Sequence, residues 1–200
     1  MNIITRVSPL VKECELRAPP IIIRVNKFDE DAAKEFVQQM SIAQCSGQNV
    51  IPVVIDSYGG QVYSLMTMID AIKASRVPVA TIAEGKAMSC GAVLLTCGAP
   101  GMRYASPHST IMIHEVASGG AGKVEEIKAD AKETDRLNEK IFKLMADNIG
   151  KDESFFLDEI HHKKHADWYL EADEAKEIGL VNHVKIPEMI LTVDVKYKFE

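Results

Sequence analysis

The sequence predicts an α/β fold in which strand–helix units repeat and build a mostly parallel sheet. Continuously apolar, β-branched runs of strand length alternate with amphipathic segments of helical period. Glycine pairs and acidic residues separate these runs, as expected at strand ends and helix starts. The 200 residues, 46% hydrophobic and 26% charged, are enough for one domain with a sizeable core.

The elements of the first half follow from this alternation. Residues 1–20 are expected to form a short, irregular arm, and residues 21–200 a single domain. The expected strands lie at 21–26, 49–55 and 77–83, and the expected helices at 29–43, 62–74 and 90–97. Ligand chemistry in parallel sheets gathers at the carboxyl ends of strands, where residues 56–60 and 84–89 fall.

The second half is dominated by a long helix. The expected elements there are a strand at 110–114, helices at 122–148, 152–161 and 171–178, and a closing strand at 190–199. A helix of about 27 residues is too long to lie within so small a body, so we expect its apolar stripe to meet another subunit. Packing of the same stripe on its own domain is the alternative.

Composition excludes several classes of function. A formal net charge of −6 argues against a nucleic-acid surface. The four cysteines, at 14, 45, 90 and 97, lack zinc-ligand spacing and indicate buried thiols in a reducing compartment. No signal peptide or membrane-length apolar run is evident. We therefore expect a protein of the cytoplasm, of an organelle stroma or matrix, or of the host cytoplasm if viral, with no membrane partner.

Ser89 stands alone between an expected strand end and an apolar helix, in the stretch GKAMSCGAVLLTCGAP. At the helix start its hydroxyl would lie beside amide groups that have no partner within the helix, where a negative charge is stabilised. The alternative is an ordinary serine N-cap. Ala87 occupies the first glycine position of a G-x-S-x-G elbow, so that motif is absent.

A second turn of the same kind, DSYGG, ends the neighbouring strand at residues 56–60. It offers another set of exposed amide groups near the first, and together the two can bind an oxyanion. The alternative is that the glycines serve only the conformation of a tight turn.

In order and spacing, the segments IDSYGGQVYS, GKAMSCGA, STIMIHEV and DWYLEADEAKEIGLV resemble the ClpP family of serine proteases over residues 21–184. The family's corresponding forms are NSPGGSV, ASMGA, MIHQP and DRFLSAPEAVEYGLVD. The resemblance implies a ClpP/crotonase-like fold of repeated βαβ units, in which the long helix protrudes as a handle for ring stacking.

The resemblance also implies a catalytic set. The family's nucleophile falls on Ser89, its general base on His114 and its triad aspartate on Asp167. The oxyanion-binding amides fall on Gly60 and Cys90. This chemistry needs no metal and no cofactor.

Other roles for some of these residues stay open. His114 could be a buried structural histidine, and Asp167 a surface carboxylate, since a few residues are inserted between the two relative to the family. His161 and His165, in the cluster HHKKH, could share a helix face and bind a metal, although no carboxylate is interleaved.

The chain departs from the family at three places. Tyr58 replaces the proline of the substrate-aligning turn, and Cys90 replaces a methionine. Pro52 and Val54 occupy positions where the family has aromatic residues that form the groove for an AAA+ unfoldase. The resemblance therefore gives only weak support to such a partner.

The function that the resemblance implies is a serine endopeptidase of a self-compartmentalised ring, acting on unfolded polypeptides. Its partners would be copies of itself in two stacked heptameric rings, or paralogous subunits in a mixed ring. The alternatives are a catalytically idle assembly subunit and a viral capsid-maturation protease of the same fold. A crotonase-type acyl-CoA enzyme is a further alternative, but such enzymes usually need a glutamate base.

Overall fold

The structure is a computed structural model that describes residues 1–7 and 20–193. The strands are β1 (Asn2–Val7), β2 (Ile23–Val25), β3 (Ile51–Ser57), β4 (Val79–Met88), β5 (Arg103–Ala105), β6 (Thr110–Ile113), β7 (Trp168–Glu171), β8 (His183–Val184) and β9 (Glu188–Val193). The helices are α1 (Glu30–Cys45), α2 (Val62–Lys73), α3 (Cys90–Thr96), α4 (Val124–Ile149), α5 (Phe155–His162) and α6 (Ala172–Glu177). The predicted α/β class is confirmed.

The main sheet has seven strands and is mostly parallel, as predicted. Its order is β2-β3-β4-β5-β8, and β6 pairs with both β4 and β7. Only the β6–β7 pair is antiparallel among the pairs of this sheet within the described residues. Both β3 and β4 begin with five consecutive buried residues. Neighbouring residues of a strand point to opposite faces, so both faces of the sheet are covered at its centre.

Strand β4 is longer than the sequence predicts. We expected it to end at residue 83, but it continues to Met88 and stops directly before Ser89. It pairs with β5 over Thr81–Ala83 and with β6 over Lys86–Met88. Gly85, between these two stretches, has a φ of 80°. The glycine therefore accommodates an exchange of partner strands instead of ending the strand.

The first three helices contribute buried residues to the hydrophobic core. Asp29 is the N-cap of helix α1, and its side chain accepts a hydrogen bond of 2.8 Å from the amide of Ala32. Helices α1 and α2 each bury one face, whereas every residue of α3 is buried. The shortest of the three is thus the one at the centre of the core, directly after Ser89.

Helix α4 is 26 residues long, which corresponds to about 39 Å. Its second half packs on its own domain through Leu137, Ile141, Phe142, Met145 and Ala146, all buried. In its first half, Val124 and Ile127 are 66% and 45% exposed. The expectation that the whole stripe meets another subunit is therefore wrong for the second half, because that half reaches the domain core.

The first and last strands of the described chain form a separate two-stranded sheet. Strands β1 and β9 pair in parallel, from Asn2 opposite Glu188 to Val7 opposite Val193. The expectation of an irregular arm is therefore wrong for residues 2–7, whose partner strand lies at the other end of the sequence. Residues 8–19, with Cys14, and residues 194–200 of the predicted closing strand lie outside the described residues.

Two expectations from composition can be compared with the described residues. Cys90 is buried and Cys97 is partly buried, but Cys45 is exposed, contrary to the expectation of buried thiols. None of the helices within residues 1–7 and 20–193 has the length and apolar character needed to cross a lipid bilayer.

Candidate active site

Ser89 occupies a strained strand-to-helix turn. It lies between the last residue of β4 and the first residue of α3, with φ 54° and ψ −120°. Its amide donates to the carbonyl of Met112 at 2.9 Å, and its carbonyl accepts from the amide of Val93 at 3.2 Å. Its side chain makes no capping hydrogen bond to α3. The serine is at the N-cap position, but its hydroxyl does not serve as a cap.

The glycine turn after β3 lies against Ser89. A Cβ atom on Gly59 would lie 2.7 Å from the Cβ of Ser89, and one on Gly60 would lie 2.4 Å from the carbonyl oxygen of Phe28. Both glycines have positive φ, at 109° and 150°. The amide of Gln61 donates to the carbonyl of Phe28 at 2.7 Å, which fixes the turn from the other side. Glycine is thus required here both by conformation and by space.

Cys90 connects the two turns. Its thiol donates to the carbonyl of Gly60 at 3.2 Å. Burial raises the pKa of the Cys90 thiol, while hydrogen bonds with the backbone of Gly60 and the side chain of Ser89 act in the opposite direction. The thiol therefore stays protonated, and its hydrogen bond to Gly60 holds the two turns together. This contact joins the two residues, Gly60 and Cys90, whose amides are predicted to bind the oxyanion.

His114 directly follows β6, the neighbour of β4. The last paired residues of the two strands are Met88 and Met112, so both Ser89 and His114 lie just beyond the ends of adjacent parallel strands. His114 is half-buried. Strand register thus brings the serine and the histidine to the same edge of the sheet.

Asp167 directly precedes β7, the antiparallel partner of β6. The ladder ends with Ile113 opposite Trp168, and His114 and Asp167 are the first residues beyond that last pair on the two chain segments. Asp167 is exposed. Among the residues that the structure describes, no hydrogen bond joins the side chains of Ser89, His114 and Asp167.

A cavity of about 140 Å³ opens beside Ser89. Four of the five predicted site residues line it, namely Gly60, Ser89, Cys90 and His114. The rest of its wall is mostly apolar and includes Val62, Val93, Ile113, Ile141, Phe142 and Met145. The arrangement is a serine hydroxyl and an imidazole at the mouth of an apolar pocket, next to the backbone of two tight turns.

Three residues that were not predicted as site residues are joined to one another beside the segments that carry His114 and Asp167, namely Glu115, Asn138 and His165. Glu115 accepts a hydrogen bond from Asn138 at 3.3 Å and lies 2.7 Å from the Nδ1 atom of His165. Asn138 in turn accepts from the amide of Val116 at 3.2 Å. The only signal of this group in the sequence is the charge of Glu115 directly after His114. That charge does not predict that Asn138 and His165 are the partners of Glu115.

The histidine cluster at the end of α5 is not arranged as a metal site. His161 belongs to the helix, whereas His165 lies beyond its last residue, His162, so the two do not share a helix face. The rings of His161 and His165 lie 4.9 Å apart, but His165 pairs with Glu115. Within the described residues, no group of three His, Cys, Asp or Glu side chains is placed to hold a metal ion.

Tyr58, which replaces the family's proline, is 75% exposed at the glycine turn. The ammonium group of Lys86 lies 4.5 Å from the centre of its ring and 2.6 Å from Asp56. The hydrogen bond with Asp56 raises the pKa of Lys86. The tyrosine is therefore held at the rim of the turn by a cation–π contact.

The family model described as Clp protease matches residues 13–188. The chain belongs to the Clp protease family, which makes it a ClpP-like protein of peptidase type. Members of this family typically form oligomeric rings.

Proposed function

We propose that the chain is a serine endopeptidase of a self-compartmentalised ring protease, with Ser89, His114 and Asp167 as its catalytic triad. The observation that carries the proposal is the strained turn at Ser89, whose hydroxyl is not used as a cap and lies at a cavity shared with His114. Strain of this kind clusters at functional sites, where it aims a reactive side chain.

In the proposed reaction, the imidazole of His114 accepts the proton of the Ser89 hydroxyl as the oxygen attacks the scissile carbonyl. Asp167 accepts a hydrogen bond from the other ring nitrogen and stabilises the imidazolium that forms. The amide groups of Gly60 and Cys90 donate to the oxyanion of the tetrahedral intermediate. His114 then gives the proton to the leaving amine. In the second stage, His114 takes a proton from a water molecule as that water attacks the acyl-enzyme carbonyl. The bond to the Ser89 oxygen then breaks, His114 returns the proton to that oxygen, and the carboxylic acid product leaves.

The cavity beside Ser89 indicates the class of substrate. Its wall is formed mainly by aliphatic, Phe and Met side chains, so it favours an apolar side chain next to the cleaved bond. An unfolded polypeptide exposes such side chains and can lie in an extended conformation along the sheet edge. We expect no requirement for a metal or a cofactor.

The proposed assembly uses the exposed first half of α4, where Val124 and Ile127 have no cover within the described chain. Two stacked heptameric rings of identical subunits, or a mixed ring with paralogues, would bury this half. An AAA+ unfoldase remains a weaker part of the proposal. Pro52 and Val54, at the family's two groove positions, are both buried, although Pro52 also lines an apolar cavity of about 220 Å³.

The test of the peptidase proposal is Ser89→Ala in a fluorogenic peptide assay. We expect loss of peptide cleavage with unchanged assembly, measured by native mass spectrometry. Ser154→Ala is a matched control, because Ser154 also stands at a helix N-cap without a side-chain capping bond. Wild-type rates of cleavage in Ser89→Ala would end the proposal.

The second candidate is an idle assembly subunit. It is favoured by the lack of a hydrogen bond between the three triad side chains within the described residues. A fluorophosphonate probe separates the two candidates, since it labels a serine only when that serine is activated. Labelling of Ser89 in the assembled particle supports the peptidase, and an unlabelled Ser89 supports the idle subunit.

A further inference from the structure

We propose that Glu115 and His165 are positioning residues, which set the distance between the imidazole of His114 and the carboxylate of Asp167. The proposal rests on the proposed function, because it concerns the proton path of the same triad. Glu115 also lines the cavity beside Ser89, whereas His165 does not. In the proposed reaction neither side chain takes or gives a proton. Their role is to hold the segment that carries His114 and the loop that carries Asp167 at a fixed distance from each other.

The strand register gives the first part of the argument. The β6–β7 ladder ends at Ile113 and Trp168, one position before His114 and Asp167. On the other side of this position, the carboxylate of Glu115 lies 2.7 Å from the Nδ1 atom of His165. The predicted base and acid are therefore bracketed by the ladder on one side and by this pair on the other.

Helix α4 supplies the second part. Asn138 donates to Glu115 at 3.3 Å and accepts from the amide of Val116 at 3.2 Å. Glu115 is thus bound both to α4 and to the loop before β7. The segment that carries His114 cannot shift relative to that loop unless one of these contacts breaks.

The loop before β7 supplies the third part. Lys164 and His165 both have positive φ, at 57° and 60°, which is uncommon for residues other than glycine. Their amides donate to the carbonyls at the end of α5, which fixes the start of the loop. The contact of His165 with Glu115 ties this strained loop to the segment carrying His114.

Exposure makes the proposal testable. The side chains of His165 and Glu115 are 58% and 32% exposed, so the pair contributes little to folding stability. Removal of either partner should leave the fold intact. An effect on the catalytic rate would then report the position of the triad and not a loss of structure.

The experiment compares Glu115→Ala, His165→Ala and the double variant in the assembled particle, with a fluorogenic peptide as substrate. Because a misplacement of about 1 Å can cost up to about 100-fold in rate, we expect kcat to fall by about 10-fold in each single variant. We expect KM to stay within about two-fold in His165→Ala, because His165 does not line the cavity and uniform substrate binding is not changed there. The double variant should be no slower than the single ones, because the two residues act as one unit.

Two further variants serve as controls. Glu115→Gln keeps an acceptor for His165, and we expect it to return kcat to within about three-fold of wild type. His162→Ala removes an exposed histidine of the same segment and should keep the wild-type kcat.

Wild-type kcat in both single variants, multiplicative losses in the double variant, or a change confined to KM would each overturn the positioning role. Ser89→Ala distinguishes this failure from failure of the proposed function. If Ser89→Ala is inactive while Glu115→Ala is unaffected, only the positioning role is lost. An inactive wild type, or an active Ser89→Ala variant, overturns both.

Discussion

The strand end that carries Ser89 and the loop that carries Asp167 lie at the same edge of the sheet but are built by different contacts. Ser89 is enclosed by Gly59, Cys90 and the fully buried helix α3. Asp167 is exposed, and its loop is tied to the rest of the site through the partly exposed pair of His165 and Glu115. The core thus fixes the serine side, whereas surface contacts fix the acid side.

This difference predicts where substitutions change the free energy of unfolding and where they change the catalytic rate. On the serine side, a change alters close packing and backbone conformation, so the free energy of unfolding should respond. On the acid side, a change alters only exposed contacts, so catalysis should respond while stability does not.

On the acid side, Asp167→Ala should have the largest effect on rate. We expect kcat to fall by about 100-fold or more, because the imidazole loses the group that orients it. The free energy of unfolding should change by less than about 0.5 kcal/mol, as is usual for exposed sites. Asp152→Ala, at another exposed aspartate, is the control for both measurements. A large loss of stability in Asp167→Ala would show that the acid side is part of the core.

On the serine side, Gly60→Ala should have the largest effect on stability. The new Cβ atom would lie 2.4 Å from the carbonyl of Phe28 at a φ of 150°, so we expect a loss of about 3 kcal/mol in urea unfolding. Gly101→Ala is the matched control, because Gly101 also has a positive φ but open space around it. Its loss should be about 1 kcal/mol. Equal losses at the two positions would contradict the close packing of the turn.

Backbone strain at Ser89 gives a smaller, opposite effect. Ser89→Gly should raise the free energy of unfolding by about 1 kcal/mol relative to Ser89→Ala, because glycine accepts a φ of 54° without steric cost. Both variants should be inactive, so stability and activity separate at this position. The measurement is thermal unfolding of the two variants side by side. Equal transition temperatures would show that the backbone at Ser89 is not strained.

The smallest perturbation is alkylation of the thiols in a Cys14→Ser background. Burial raises the pKa of Cys97 to about 11 and raises that of Cys90 as well, whereas Cys45 is exposed. At pH 8 the two raised thiols stay protonated and unreactive. We expect iodoacetamide to modify Cys45 alone until the protein unfolds, as read by peptide mass spectrometry. Rapid modification of Cys90 would show that the serine side opens.

The sequence predicts most of the central sheet because its strands are continuously apolar and its helices are amphipathic. It does not predict the end of β4, since Gly85 and Lys86 resemble a turn, and the strand continues past them through an exchange of its partner from β5 to β6. It also misses β1, whose partner β9 lies at the other end of the described chain. Both errors concern pairing between distant segments, which local patterns do not encode.

The candidate site likewise contains residues that the sequence predicts and residues that it does not. Ser89 and Gly60 follow from turns at strand ends, and the family resemblance adds His114, Asp167 and Cys90. Glu115 and His165 lie 50 residues apart, and their contact depends on a loop in which non-glycine residues adopt positive φ. No local pattern in the sequence predicts such a loop.

An experimental structure of the assembled particle tests the central claim most directly, through the distance from the Ser89 hydroxyl to the nearest ring nitrogen of His114. The account predicts about 3 Å, with Asp167 within hydrogen-bond distance of the other ring nitrogen. An imidazole held out of reach of the hydroxyl in every subunit of the particle would contradict it.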